Sequence, residues 1–218
     1  SKSRVDNMKA FLFDLDGVLV STEHNHFLAW QRCAHSLGIA FTEKENELLK
    51  GVSRVDSLKK ILVLGAKTIS TEEFEDLLIS KNDFYLESIQ DLNQSNLLPG
   101  VLDLLKSAKT KGIHLGVGSS SKNANFILDK LQIRSYFEVV IDGNGVKDPK
   151  PHPEVFLNGA RALGLDPSVC MVFEDAASGI AAAKAGGFTA VGVGNPHIAN
   201  MADIYLNDLT EFRVEQYA

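Results

Sequence analysis

Cysteine is nearly missing from this chain: Cys33 and Cys170 are the two present, far apart and each inside an apolar segment. A disulfide framework or a structural zinc site needs more thiols at closer spacing, so two buried free thiols are expected instead. Long apolar runs are also missing. None approaches the roughly 18 residues of a membrane span, and residues 1–7 form a polar leader without the apolar centre of a signal peptide. Nor is there any cluster of Lys and Arg. The 22 basic residues stand against 28 acidic ones, a formal net charge of −6, which argues against nucleic acid or an anionic membrane as a partner. The expectation is a cytoplasmic monomer that works on a small molecule.

What the chain does have is an ordinary globular composition. Its 218 residues, 44% hydrophobic and 23% charged, suffice for one large domain or for a core with an inserted module. The pattern favours the second arrangement. A short apolar run over 8–13 reads as a buried strand. Residues 22–90 then read as all helix. Thr22 is placed to cap a helix over 24–37 that Gly38 ends, Thr42 with Glu45 and Ser70 with Glu73 resemble capping boxes, and apolar residues recur at helical spacing between them. From Pro99 onward, helices alternate with short runs rich in Val, Ile and Gly. Strands are expected over 114–118, 139–142, 170–173 and 189–193, and helices over 101–111, 122–131, 153–163 and 176–185. Such alternation means βαβ units in a parallel sheet covered on both faces. The expected fold is α/β: a doubly wound, Rossmann-like core from residues 1–20 and 93–218, with an all-helical cap of residues 21–92 inserted after the first strand. The connections near Ser21 and Asn93 would be its hinges.

Ligands of a doubly wound sheet bind beyond the carboxyl ends of its strands, so the residues that follow each strand carry the functional reading. The first strand stops at Asp14-Leu15-Asp16-Gly17. Side chains two apart share a side, so two carboxylates reach one place, and Gly17 permits a sharp turn. The second ends in Ser119-Ser120-Ser121-Lys122-Asn123, whose hydroxyls and helix-opening amides suit a phosphate. The third leads to Lys147-Asp148-Pro149-Lys150-Pro151, a lysine on a stiff loop. The fourth ends in Glu174-Asp175. Each piece has a plainer reading as an Asp-Gly turn, a helix N-cap, a solvated lysine or a polar strand end. Together they fit phosphoryl transfer to a carboxylate. Nucleophile and phosphate are both anionic, and two unit charges 4 Å apart repel by about 4 kcal/mol at an effective dielectric near 20. A magnesium ion and one ammonium remove that obstacle, and an all-oxygen ligand set suits Mg²⁺.

With these four stretches in this order, the chain resembles the haloacid dehalogenase superfamily of aspartate-nucleophile phosphotransferases. The second aspartate matches its phosphatase and mutase branch rather than true dehalogenases. The resemblance implies that Asp14 is the nucleophile, Asp16 the general acid and base, and Ser119 and Lys150 the second and third motif residues. It also implies that Mg²⁺ is held by Asp14, the Asp16 carbonyl and Asp175, with Glu174 assisting. Cap stretches Thr22 to Trp30, Leu49 to Leu58 and Lys81-Asn82-Asp83 are similar to those of members that act on sugar phosphates. By that likeness Thr22 and Trp30 line the substrate, and His26 orients the acid/base or couples it to closure. Lys50, Gly51, Val52, Ser53, Arg54 and Lys81 grip the sugar and its distal phosphate, and Ser121, Lys122 and Asn123 bind the other phosphate.

The reaction so implied interconverts β-glucose 1-phosphate and glucose 6-phosphate, through an aspartyl-phosphate and a β-glucose 1,6-bisphosphate intermediate. The alternative is a magnesium-dependent sugar-phosphate phosphatase. A sugar-phosphate-binding regulator without turnover is a third reading, which the intact acidic and basic quartet opposes. Ser21 stands where many members carry Asp, and Ala176 where Ser is usual. Both are expected to tune ligand orientation.

Overall fold

A computed structural model describes residues 5–218; the start of the polar leader, residues 1–4, lies outside them. In chain order its regular elements are β1 (Ala10–Phe13), α1 (Glu23–Ser36), α2 (Glu43–Asn46), α3 (Arg54–Leu64), α4 (Thr71–Ser88), α5 (Val101–Thr110), β2 (His114–Gly118), α6 (Ala124–Lys130), β3 (Val139–Ile141), α7 (Glu154–Leu163), β4 (Cys170–Glu174), α8 (Ala177–Ala185), β5 (Thr189–Val193) and β6 (Ile204–Leu206). Among the described residues the packing divides into two compact units, residues 5–21 with 93–218, and residues 22–92. No helix among the described residues is long and apolar enough to cross a membrane.

The first unit is a six-stranded parallel sheet in the order β3-β2-β1-β4-β5-β6, flanked by helices. β1 is at its centre, as a strand without an exposed side must be. All four of its residues are buried, and their alternation feeds two packing layers. Ala10 and Leu12 join Val155, Phe156 and Ala160 of α7 and Ile180 and Ala183 of α8 on one face. On the other, Phe11 and Phe13 meet Phe173 at centroid distances of 5.5 and 4.7 Å, and Phe212 closes on Phe11 at 5.5 Å. Each buried aromatic of this layer contributes roughly 1.5–3 kcal/mol by burial. Phe13 is level with Val117 of β2 and Phe173 of β4, so the loops after these three strands leave the sheet at one edge. Strand order reverses between β1 and β4, which makes the ends of those two strands the switch point where doubly wound sheets bind ligands.

The helical unit is built around a separate apolar cluster of Phe27, Trp30, Cys33, Ala34, Ile39, Phe41, Leu49, Leu58 and Ile61. Ser53 and Ser70 open α3 and α4, their hydroxyls accepting the N–H of Asp56 and Glu73 at 3.2 and 3.1 Å. Both cysteines are buried and free, and burial pushes their thiols up to about 11, which leaves them unreactive at neutral pH.

Three expectations need correction. The sheet has a sixth strand, β6, which pairs with β5 from Val191 to Val193; three residues between polar neighbours give no local signal. The 122–131 helix begins only at Ala124, because residues 119–123 satisfy one another first, as described below. Thr22 does not cap α1 with its side chain; its hydroxyl lies 2.9 Å from the Tyr85 hydroxyl.

Candidate functional site

Lys150 organises the edge of the sheet at which β1 and β4 end. Its Nζ donates to Glu174 Oε2 at 2.6 Å, to Asp14 Oδ1 at 3.1 Å and to the Gly118 carbonyl at 3.3 Å, and it lies 4.8 Å from the centre of the Phe156 ring. Three acceptors for three protons saturate an ammonium. The Lys150 side chain is 4% exposed, Glu174 1% and Asp14 15%, so the nearly dry pair opens toward solvent only at Asp14. Burial alone would lower the Lys150 pKa, but the Asp14 and Glu174 carboxylates outweigh it and hold the ammonium above its ordinary value. Burial raises Glu174 in turn, and the Asp14 charge adds to that while Lys150 opposes it.

Asp14, Glu174 and Asp175 each bring a carboxylate oxygen to a common place, all within 4.8 Å of one another. Three carboxylates and one ammonium sum to −2 formal charge. Two glycines keep the room clear. A Cβ at Gly17 would lie 1.9 Å from Asp175 Oδ2, and one at Gly179 would lie 2.0 Å from Glu174 Oε2. Gly17 also has φ of +87°, a conformation its side-chain-free backbone adopts without strain. An all-oxygen set with surplus negative charge, in a space held open for it, fits a hard divalent cation such as Mg²⁺.

The second-motif stretch is a chain of turns. Ser119 is buried, its N–H donates to the Ile141 carbonyl at 2.9 Å, and it follows the Gly118 whose carbonyl takes a Lys150 proton. Its hydroxyl accepts the Ser121 N–H at 3.1 Å, and the Ser121 hydroxyl accepts the Asn123 N–H at 3.0 Å. Lys122 is exposed between them. Asp16 lies in the loop after β1, where its backbone bridges to Val20. The structure thus joins Asp14 and Glu174 through Lys150 by direct contact, brings an Asp175 carboxylate oxygen within 4.8 Å of those of Asp14 and Glu174, and seats Ser119 next to Gly118, whose carbonyl Lys150 also meets.

The helical unit gathers its own polar set. Lys81 is 5% exposed although charged. Its Nζ lies 3.0 Å from His26 Nδ1, 4.5 Å from the centre of the Trp30 ring and 4.9 Å from that of Tyr85. Since an ammonium only donates, Nδ1 must accept and the neutral ring carries its proton on Nε2. The imidazole stacks on Tyr85 at 4.0 Å, and the Tyr85 hydroxyl meets buried Thr22. Burial, then the charges of Lys81 and Arg54, hold His26 well below the usual histidine value. Arg54, at the start of α3, donates from Nη2 to Asn82 Oδ1 at 2.9 Å. Lys50 sits 3.6 Å from Glu23 in an exposed pair. Gly51 has φ of +73°, and the Val52 N–H donates to the Leu49 carbonyl at 3.0 Å, completing the turn before Ser53.

The His26 environment has a measurable consequence. Below about pH 6.5 the unfolded chain binds a proton at this histidine while the folded protein does not, so His26 makes stability fall as the pH drops through that value, by at most about 1.4 kcal/mol per unit. In urea unfolding, the stability advantage of wild type over His26→Gln is expected to be larger at pH 7.5 than at pH 5.5. A pH-independent difference would contradict the buried neutral ring.

Tyr85, Asn195 and Glu154 escape a reading of local pattern. Tyr85 reads as an apolar-face residue of α4, and its one clue is the four-residue spacing from Lys81. Asn195, after β5, donates from Nδ2 to the Asp175 carbonyl at 2.9 Å, and nothing local marks it. Glu154 sits at the start of α7, and its carboxylate accepts the Lys147 N–H at 2.6 Å.

Comparison with known proteins gives a consistent picture. A family profile described as haloacid dehalogenase-like hydrolase matches residues 8–187. The chain is 40% identical over 210 residues to a beta-phosphoglucomutase of Bacillus subtilis (strain 168), covering 95% of this chain and 93% of that one. It is 32% identical over 182 residues to a phosphorylated carbohydrates phosphatase of Thermotoga maritima, covering 83% and 82%. The crystal structure of a beta-phosphoglucomutase from Clostridium difficile superposes with a TM-score of 0.92 at 38% identity, covering 95% of this chain and 94% of the other.

Proposed function

Because the chain belongs to the haloacid dehalogenase-like hydrolase family, we propose that it catalyses the phosphoglucomutase reaction, β-glucose 1-phosphate to glucose 6-phosphate. The observation that carries the chemistry is the buried Lys150 ammonium shared between Asp14 and Glu174. A carboxylate that must approach a phosphate needs its charge offset, and a desolvated cation 3.1 Å away does so where screening by water is weak. The choice of the mutase rests on the 40% identity to the Bacillus subtilis enzyme.

In this reading an Asp14 carboxylate oxygen attacks phosphorus of the bisphosphate, and the bond from phosphorus to the sugar oxygen breaks. Asp16 gives its proton to that oxygen. Asp16 then takes a proton from a hydroxyl of the incoming hexose phosphate, whose oxygen attacks the aspartyl-phosphate and returns Asp14 to its carboxylate. The proton count closes over the cycle. Asp14, the Asp16 carbonyl, Asp175 and Glu174 would hold Mg²⁺, which when bound supplies charge neutralisation between nucleophile and phosphate. Ser119 and the Ser121-Lys122-Asn123 turn take a phosphate; Thr22, Trp30, Lys81 and residues Lys50, Gly51, Val52, Ser53 and Arg54 take the sugar and the distal phosphate; neutral His26 orients the acid/base.

The second reading is a sugar-phosphate phosphatase, favoured by the 32% identity to the Thermotoga maritima phosphatase. Water would then attack the same aspartyl-phosphate. Incubation with Mg²⁺, β-glucose 1-phosphate and a trace of β-glucose 1,6-bisphosphate separates the two. Glucose 6-phosphate is expected to accumulate with little free phosphate. Stoichiometric inorganic phosphate without glucose 6-phosphate would assign the hydrolase.

A further inference from the structure

Lys150 stands on a loop with little regular structure of its own. Lys147, Asp148 and Pro149 before it are exposed, yet its Nζ is held to 2.6 Å from one carboxylate and 3.1 Å from another. A lysine side chain has four rotatable bonds, so this placement requires the backbone at position 150 to be fixed by something else. The hydrogen bonds of the loop show what fixes it. The Glu154 carboxylate reaches back and accepts the Lys147 N–H at 2.6 Å on Oε2 and the Asp148 N–H at 3.4 Å on Oε1. The Glu154 N–H donates to His152 Nδ1 at 3.1 Å, and the His152 N–H donates to the Pro149 carbonyl at 2.9 Å. The ring of bonds encloses position 150.

Glu154 is well anchored for this task. It is the first residue of α7, where a carboxylate also suits the positive end of the helix dipole. The next two residues, Val155 and Phe156, are buried in the layer that covers β1 and β4. Phe156 lies beneath the Lys150 ammonium, so one helix start determines both the floor under the charge and the loop that presents it. Asp148, His152 and Glu154 also bring metal-type donor atoms within 4.8 Å of one another. The Lys147 and Asp148 N–H groups engage the Glu154 oxygens, the Glu154 N–H engages the His152 ring, and the group acts as a brace.

We propose that Glu154 is a positioning residue for phosphoryl transfer, holding the 147–150 loop so that Lys150 stays between Asp14 and Glu174. The inference rests on the reading of Lys150 as the charge Asp14 needs. The test uses the full chain with Glu154→Ala, Glu154→Asp, Glu154→Gln and, as reference, Lys150→Ala. Two quantities are read: kcat and KM for β-glucose 1-phosphate, and the rate at which acetic anhydride labels Lys150, followed by mass spectrometry.

Glu154→Ala is expected to lower kcat by roughly ten- to a hundredfold with KM nearly unchanged, the scale of a misplaced catalytic group, and to raise Lys150 labelling about tenfold or more as the loop opens locally. Glu154→Asp keeps the charge and should recover part of both. If Glu154→Ala does not fold, Glu154→Gln, which retains one acceptor oxygen, is read in its place, with a smaller change in the same directions. Labelling and kcat both within about twofold of wild type overturn the proposal, and so does faster labelling without a fall in kcat while Lys150→Ala is inactive. If Lys150→Ala itself turns over normally, the reading of Lys150 as the charge that Asp14 needs falls, and the positioning role in catalysis falls with it. The labelling rate then still reports whether Glu154 holds the loop, which tells the two failures apart.

Discussion

Asp14→Asn is expected to abolish turnover while leaving the fold intact. An amide cannot form the acyl phosphate, and removal of a residue that becomes covalently bound costs on the order of 10⁴-fold or more in kcat. Stability should move the other way. Asp14 shares a site with Glu174 and Asp175, all three carboxylates within 4.8 Å, and its charge is a main reason after burial why Glu174 resists ionisation. The asparagine removes that repulsion and keeps an oxygen for Lys150, now 3.1 Å from Asp14 Oδ1. In the absence of a divalent cation the variant should therefore unfold at the same urea concentration as wild type or a higher one. Added Mg²⁺ should stabilise wild type more than the variant, because in the proposed reading the cation would bind the folded state through the full carboxylate set. Measured phosphoryl transfer above a few per cent of wild type would exclude Asp14 as the nucleophile.

That these residues share one place was partly legible in the amino-acid order. Asp14, Ser119 and Glu174-Asp175 each follow an apolar run short enough for a buried strand, and in a parallel sheet the ends of such runs lie along one edge. The regular elements were legible for the same reason, since β1, β2, β4 and β5 are apolar on both faces and carry their signal within themselves. Contacts made across the chain were not. Lys150 meets Glu174 from 24 residues away and Asp14 from 136, and no local pattern contains such a pairing. Thr22 shows the reverse error. Its residue type and place suit a cap, but Tyr85, 63 residues on, takes its hydroxyl. β6 is invisible because a three-residue edge strand owes its shape to β5. Glu154 and Asn195 stay hidden because they act on backbone groups, and any residue type can supply those.

Lys150→Ala tests whether the ammonium is needed for stability and catalysis alike. Its removal leaves Glu174, fully buried, without the cation that lies 2.6 Å away. Breaking a buried pair from one side typically costs about 3–5 kcal/mol, because the remaining charge has neither water nor a partner. The cost here should lie toward the lower end, since Glu174 Oε1 still accepts the N–H groups of Asp175 and Ala176 at 3.1 and 3.4 Å. Activity should fall about a hundred- to thousandfold, the usual loss when one preorganised donor is withdrawn from developing charge. Lys150→Arg should not restore it. The guanidinium is broader and planar and would have to fit over the Phe156 ring, whose centre is 4.8 Å from Nζ, while matching three acceptors that converge on a single point. Urea unfolding and kcat measured on the same preparations check both halves. A variant that loses stability but keeps its rate would make Lys150 purely architectural, and phosphoryl transfer would then need another source for the charge that Asp14 has to meet.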